Sequence, residues 1–458
     1  MSTSPDGIYE PGIIDPGLPL PNSTQPFWLS SPSPLAKFRS PWLEQADVVI
    51  IGSGMTSVSL CRSLFAKCPE LSIIVIEARD LCSGATGRNG GHIKAMSPGV
   101  WFERKKQLGV QEALKMMEFE HGHLDNMTSC IKENDLERHC DLQLLEGLDV
   151  YHDKKIFERA INAVKDMERH NSKLAERYTV YELRQDLQAH GLGNHVVGAI
   201  GMPAASMWPY KMVTGLFERM VQRDNLKLSI QTNTTVTSVT EDVNSATVYT
   251  TRGPIKARHV IHATNCWIGH LLPELRPYVS PVRANVQRQI PIPAPQAPAH
   301  AQKNSFWLRY AEHDYDYLIQ RPDGSYIIGR ANTGRRATSD DSQKDVLPHA
   351  HLRGTTPLLF DFQSPSDKMD ITHAWSGSVA FTLDGNPFVG RLPGANRTHQ
   401  WVCGAYQGIG MVRAFCTAQM LACLILEEAL PEEFPKSMLL GEERVQAFKA
   451  AVARESKL

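Results

Sequence analysis

Apolar positions along the chain fall into two patterns, unbroken β-branched runs and helical spacing. Asp47-Val-Val-Ile-Ile-Gly52 is a run closed by glycine, as expected of a strand buried on both faces of a parallel sheet. Residues 55–68 predict a helix, and Leu71-Ser-Ile-Ile-Val-Ile-Glu77 a second buried strand. From about 101 to 187 the pattern turns helical and charged, most clearly over Glu112–Glu120 and Phe157–His170. Alternation over 228–232, 235–239 and 246–249 predicts strands, as does the apolar run Ala257–Ala263. Prolines 291, 293, 295 and 298 mark a loop, after which 306–308, 315–320 and 325–329 suggest a meander. There is no internal repeat.

The first 41 residues hold nine of the 29 prolines, so this arm can enter neither a helix nor a central strand. It nonetheless contains Phe27, Trp28, Leu29, Phe38 and Trp42, which predicts an extended arm packed across the body. The most apolar segment, Ala414–Ile425, is interrupted by Thr417 and Gln419 and falls short of the ~18 residues that span a bilayer; it reads as a buried helix. Lys plus Arg (48) nearly balance Asp plus Glu (49), which argues against a partner made of nucleic acid or anionic lipid. Nine cysteines without a CxxC pair, and no signal-peptide pattern, point to a reducing compartment. Four Asn-x-Ser/Thr triplets, at Asn22, Asn126, Asn233 and Asn396, are then expected to go unused.

Between the first predicted strand and helix lies Gly52-Ser-Gly54-Met55-Thr56-Ser57. This is G-x-G-x-x-G/A with serine in the third small position. The first glycine allows a tight turn, the second lets backbone approach a pyrophosphate, and the phosphates meet the helix N-terminus. Glu77, 23 residues past Gly54, ends the second strand where a carboxylate accepts from a ribose, followed by Ala78 and Arg79. The motif alone does not separate NAD from FAD. The loop Ser83-Gly84-Ala85-Thr86-Gly87-Arg88-Asn89-Gly90-Gly91-His92 does, because only the longer flavin dinucleotide needs a second cradle there. Thr86 and Arg88 suit the pyrophosphate, and Asn89, Gly90 and Gly91 the ring system.

With these residues the chain resembles the D-amino-acid-oxidase-type FAD-dependent oxidoreductases, in particular the glycine and sarcosine oxidase-like and γ-glutamylputrescine oxidase-like branch. Further stretches resemble family motifs: Ala205–Leu216 the helix entry with Pro209, Thr235–Val239 with Val236 the strand beside the adenosine, and Ala263-Thr264-Asn265-Cys-Trp267 a strand-to-loop turn. Trp375-Ser-Gly377 through Thr382-Leu-Asp384 to Gly390 resembles W-x-G…T-x-D-x-x-P-x-x-G. Gly404-Ala-Tyr406-Gln-Gly408-Ile409-Gly410-Met411 resembles G-x-x-G-H-G-M, with isoleucine in place of histidine. Such a loop aims a helix N-terminus at the flavin N1–C2=O edge, where reduced flavin is anionic. The proline-rich arm is reminiscent of fungal members.

The resemblance implies an α/β fold, with a Rossmann-type FAD-binding domain interleaved with a substrate domain of antiparallel sheet plus helices. The expected layout is an arm at 1–46, a discontinuous FAD-binding domain at 47–105, 198–275 and 370–458, and a substrate domain at 106–197 and 276–369. It also implies oxidation of a C–N bond in a small amine or amino acid, with hydride passing to flavin N5, an imine that water hydrolyses, and O2 reduced to H2O2. Candidates for the reacting end are Arg309, Tyr317, Arg321, Trp375 and Tyr406, an arginine to clamp a carboxylate and aromatics to cage an amine. Two departures stand out. The stretch Tyr326–Gly329, where sarcosine oxidases carry an oxygen-activating lysine, is apolar, with Arg330 the nearest cation. Gly377–Ala380 contain no cysteine, so FAD is expected to be non-covalent, with His92 the alternative attachment point.

Rival readings are a flavin dehydrogenase or biosynthetic enzyme with another electron acceptor, a non-catalytic flavin-binding protein, and an NAD-dependent dehydrogenase. Histidines 121, 123, 139, 152 and 170 have no ligating cluster around them, and a metal is not expected. The chain ends in Ser456-Lys457-Leu458, which matches the address read by the peroxisomal import receptor; a peroxisomal oxidase is the expectation.

Overall fold

The computed structural model describes residues 14–292, 303–311, 314–330, 337–360, 368–394 and 397–455. Pro293, Pro295 and Pro298, Asn396 and the Ser456–Leu458 tail lie outside them. Among the described residues seventeen strands, numbered along the chain, form two sheets.

The first sheet has the order β16 (Phe388–Arg391), β17 (Gln400–Gly404), β10 (Gly253–His262), β1 (Gln45–Ile51), β2 (Ser72–Ile76), β7 (Lys227–Gln231). From β17 to β7 all pairings are parallel; β16 pairs antiparallel with β17, and the hairpin β8 (Val236–Glu241) and β9 (Ala246–Thr250) attaches to β10. Val49 lies opposite Ile74 on one side and Val260 on the other, so the β-branched run sits in the sheet's centre and is buried on both faces. The first helix, Met55–Lys67, packs on helix Ala414–Ile425, close enough for the Ser59 hydroxyl to donate to the Phe415 carbonyl at 2.6 Å. No helix of the described residues is long and apolar enough to cross a membrane.

The second sheet runs β15 (Lys368–Thr382), β11 (Val279–Ile292), β14 (Tyr326–Arg330), β13 (Tyr315–Gln320), β12 (Asn304–Arg309), β4 (Gln143–Tyr151), β6 (Gly198–Ser206), β3 (His92–Lys94), with β5 (Thr179–Tyr181) beside β6. Only β12 and β4 pair in parallel. The expected meander is β12–β13–β14. Strands β3, β6 and β15 fall in segments expected to serve the dinucleotide; in space they extend the second sheet.

Two long strands of this sheet, β4 and β11, escape the hydrophobic pattern for one physical reason. The stretch 101–187 is not helical throughout: β4 interrupts it and carries Asp149, which is fully buried against Lys94 at 2.8 Å. In β11 the buried residues include Arg283, Asn285, Gln287 and Gln289. Arg283 and Asn285 bond the Asp345 carboxylate, while Gln287 and Gln289 reach carbonyls of helix Val346–Leu359. Satisfied buried polar groups hide a strand from any test based on apolar alternation.

The arm follows the body as expected. Trp28 is fully buried, donating its indole N–H to Asn89 O (2.6 Å) and accepting on its own carbonyl from Trp208 (2.7 Å). Phe27 packs in tilted contact with Trp28 and Trp208, with centroids 5.4 and 4.8 Å away. All nine cysteines are free. Truncating so large a buried side chain leaves a cavity, so Trp28→Ala should lower unfolding free energy by about 3–5 kcal/mol. The check is the urea midpoint, with the m-value unchanged.

Candidate active site

The parallel strands of the first sheet end in three turns that share one cavity: Gly52–Thr56 after β1, Glu77–Arg79 after β2, and Ala263–Asn265 after β10. This is where open α/β sheets bind ligands. Its opposite wall is the second sheet, through Lys94, Ala284, Trp307, Tyr315, Tyr317 and Gly377. Gly52 has φ +104°, and a Cβ there would lie 2.7 Å from Ala263 O; the turns after β1 and β10 thus come this close only because residue 52 is glycine. The Glu77 carboxylate accepts from Ser53 Oγ (2.7 Å) and Arg79 N (3.0 Å), which fixes it at the cavity wall.

Arg79 and Arg88 meet a single carboxylate, Asp341, itself fully buried, at 2.9 and 3.4 Å. Arg88 also donates to Ser83 O, Ser376 O, Thr24 Oγ1 and Ser23 Oγ. Burial pulls its pKa down to about 10, with the Asp341 charge opposing the shift. Its donors are engaged by protein, so it ties arm, glycine loop and β15 together while forming part of the wall.

At the far end Tyr317 is wedged between two glycines. A Cβ on Gly90 would lie 2.4 Å from its ring, and one on Gly329 2.2 Å from its hydroxyl. Lys94 Nζ lies 4.0 Å from the Trp307 ring centroid and donates to Asp149 Oδ1. Arg309 Nε stands 3.8 Å from the same carboxylate oxygen, its guanidinium over the Trp307 and Tyr315 rings. Burial brings Lys94 down to about 8 although Asp149 pulls the other way.

The turn Gly408–Met411 closes the cavity between these ends. Ala405 (φ 62°) and Gln407 (φ 58°) adopt the left-handed region that non-glycine residues rarely occupy. Tyr406 directs its hydroxyl to Thr56 Oγ1 (2.8 Å) and Cys403 Sγ (3.3 Å). Just beyond the turn, Arg413 donates two bonds to Glu120 Oε1, at 3.1 and 2.8 Å, and Arg104 holds the same carboxylate from the other side. His123, one turn along helix Val110–Glu133, accepts from Cys416 N. His121 meets Tyr178 OH, so the two histidines serve separate packing contacts.

Most residues singled out from the sequence line this cavity: Gly54, Met55, Thr56, Glu77, Ala78, Arg79, Gly84, Ala85, Thr86, Arg88, Asn89, Gly90, Val236, Thr264, Gly408, Ile409, Gly410, Met411, Tyr317 and Tyr406. Others stand behind the wall. Ser57 bonds Gly52 O, Gly91 packs against Met207 O and Trp28, and Gly404 faces Ile268. Trp375 is fully buried and donates to Arg88 O, and Arg321 pairs with Asp141 beneath Trp28 and Trp208. Arg309 too sits behind Trp307 and Tyr315. Arg330 is engaged with Asp316 and Asp314. At the far end the lining cation is Lys94, which sequence reasoning missed. Its signal was its spacing: two residues after His92 on a strand, it shares that residue's face.

This cavity fits FAD. Backbone is free of side chains at Gly52, Gly54 and Gly84, an acid stands at a strand end, and two buried polar atoms of lining residues, Thr264 Oγ1 and Trp267 Nε1, have no hydrogen-bond partner among the described residues.

Burial alone would raise the Glu120 carboxyl, but Arg104 and Arg413 outweigh it and hold it at about 2. A depressed carboxylate adds stability above its unfolded value near pH 4.5 and loses it as pH falls toward 2. Glu120→Gln should therefore destabilise the protein at pH 6 by about 3 kcal/mol or more, with the gap to wild type narrowing below pH 4.5. Urea midpoints at several pH values measure it.

The comparisons agree with this geometry. The family model described as "FAD dependent oxidoreductase" matches residues 47–424. A protein from Rhizobium meliloti (strain 1021) described as "Probable oxidoreductase OrdL" is 24% identical over 411 residues, 87% of each chain. Gamma-glutamylputrescine oxidoreductase of Escherichia coli (strain K12) is 24% identical over 392 residues, 84% of each. Among solved structures, glycine oxidase from Geobacillus kaustophilus superposes with a TM-score of 0.69 at 16% identity, covering 86% of this chain and 98% of that one. With strand, glycine turn, acid and second cradle in place, and a family model spanning most of the chain, this protein belongs to the FAD dependent oxidoreductase family and is itself an FAD-dependent oxidoreductase.

Proposed function

We propose that this enzyme oxidises the C–N bond of an amino acid, holding its carboxylate at Lys94, with O2 as the electron acceptor and FAD bound non-covalently. FAD, when bound, supplies the hydride acceptor. The observation that carries the reading is charge. Lys94 and Arg309 share one carboxylate, Asp149, and all three are almost wholly buried. Two buried cations against one anion leave a positive excess that is costly unless a ligand brings a negative charge. The carboxylate of an amino acid does so; a simple amine adds another cation.

Trp307, Tyr315 and Tyr317 line the same end and would exclude water from the reacting carbon. The substrate loses hydride from its α-carbon while the nitrogen lone pair closes the imine, which water then hydrolyses to the oxo acid and amine. No side chain is needed to take the α-hydrogen as a proton. A fixed cation on the wall also favours O2 as acceptor, because it stabilises negative charge as O2 takes up electrons. The second reading, a dehydrogenase with another acceptor, is favoured by the apolar interior of β14, where Ile327 and Ile328 are fully buried.

Sulfite separates the two readings, since it adds to flavins whose surroundings stabilise the anionic form. Bleaching of the visible band together with peroxide production supports the oxidase; a band that resists sulfite, with turnover only on an artificial acceptor, supports the dehydrogenase. Substrate class is tested with amino acids paired with their decarboxylated amines. Lys94→Met should raise KM for the amino acid roughly 10- to 100-fold with little effect on the amine, as expected for loss of a charge-assisted contact. The ammonium is present below pH about 8 and lost above it. The preference for amino acid over amine should therefore fall as pH rises through 8, and Lys94→Met should flatten that profile.

A further inference from the structure

The amino-terminal arm lies outside the stretch matched by the family model, yet three of its residues, Gly17, Leu18 and Pro19, form part of the cavity wall. They lie on the side of Glu77, Arg79 and His270, since Arg79 bonds both Leu20 O and the Glu77 carboxylate, and Asp15 pairs with His270. The chain is pinned on both sides of them. Before them, Asp15 pairs with Arg276 at 2.7 Å and His270 at 2.9 Å, and Ser339 donates to Pro16 O. After them, Leu20 O accepts from Arg79, Ser23 and Thr24 accept from Arg88, and Thr24 N donates to Asp341 O at 2.9 Å. Between these anchors Leu18 is 43% exposed at the rim, an apolar side chain without an apolar cover of its own.

We infer that Gly17–Leu20 is a strap that completes the adenosine side of the FAD site, with Leu18 packing on the adenine. This rests on the FAD reading of the cavity. An adenine ring supplies the flat apolar surface that Leu18 lacks, and Glu77 on the same side suits the adjoining ribose. Proline at 16, 19 and 21 limits the unbound conformers of the segment, so ordering it over a ligand costs little entropy. The anchors are charged and polar, and the strap can close over the dinucleotide without a hydrophobic seam to the body.

The test uses the full-length protein. Wild type and the variants Leu18→Asp, Asp15→Ala and the double change Ser23→Ala with Thr24→Ala are titrated with FAD, following quenching of flavin fluorescence. The expected result is a Kd raised at least 10-fold in Leu18→Asp, and a faster release of FAD in the two anchor variants. Hydrogen exchange on peptides covering residues 14–24 of the wild type guards against misfolded variants, with protection expected in the holoprotein and lost in the apoprotein. A Kd within twofold of wild type in every folded variant overturns the strap, as does equal exchange in apo- and holoprotein. A wild type that binds no FAD would instead overturn the reading of the cavity itself.

Discussion

The Asp341 carboxylate is the point on which the cavity's first half turns. It is fully buried, faces two guanidiniums, and its backbone carbonyl accepts from Thr24 and Ser376. Four stretches far apart in sequence meet there: the arm, the turn after β2, the glycine loop and β15. An ion cluster removed from water is expensive unless every donor finds an acceptor. Arg88 meets that condition by donating to two backbone carbonyls and two hydroxyls. The glycine loop is held from the outside by this network, which leaves its backbone open to a ligand on the inside.

The same electrostatic motif recurs at the other end of the cavity. Arg79 and Arg88 share Asp341, and Lys94 and Arg309 share Asp149. In both places two cations surround one carboxylate, and in both the cations or their neighbours form the wall. At the first end Glu77 offsets the second guanidinium, so the positive excess is confined to the far end, around Lys94 and Arg309. Near-neutrality of the whole chain conceals this: a net charge of −1 says nothing about how charge is distributed inside.

The legible parts of the sequence were those where one residue type admits one explanation. The β-branched runs of β1, β2 and β10, the glycines between strand and helix, and Glu77 at its strand end all lie where the pattern placed them, because steric and packing rules there leave few alternatives. What escaped was buried polarity. Asp149, Arg283, Gln287 and Gln289 look like surface residues until their partners are known, and those partners are distant in sequence. Arg309 and Trp375 were singled out as chemically able residues, but ability does not say which face of a strand a side chain takes. Lys94 was overlooked for the converse reason: a single lysine among Ile93, Ala95 and Met96 carries no motif.

The turn at Ala405–Met411 shows why a missing side chain need not weaken the site. Isoleucine at 409 offers no polar group where histidine was expected, so any effect of the turn must come from its backbone. That backbone is held off its preferred conformation at Ala405 and Gln407, each at a cost of about 1–3 kcal/mol. Such strain persists only where the surroundings over-determine the chain. Asn265 accepts from Ala405 N, Gln407 N donates to Ala380 O, and Glu120 grips Arg413 at the turn's exit. Helix Val110–Glu133 thus reaches across to hold a turn whose residues Gly408–Met411 line the cavity. What the turn offers in place of a polar side chain is a backbone fixed by ties behind the wall, since Ala405, Gln407 and Arg413 are all held from outside the cavity.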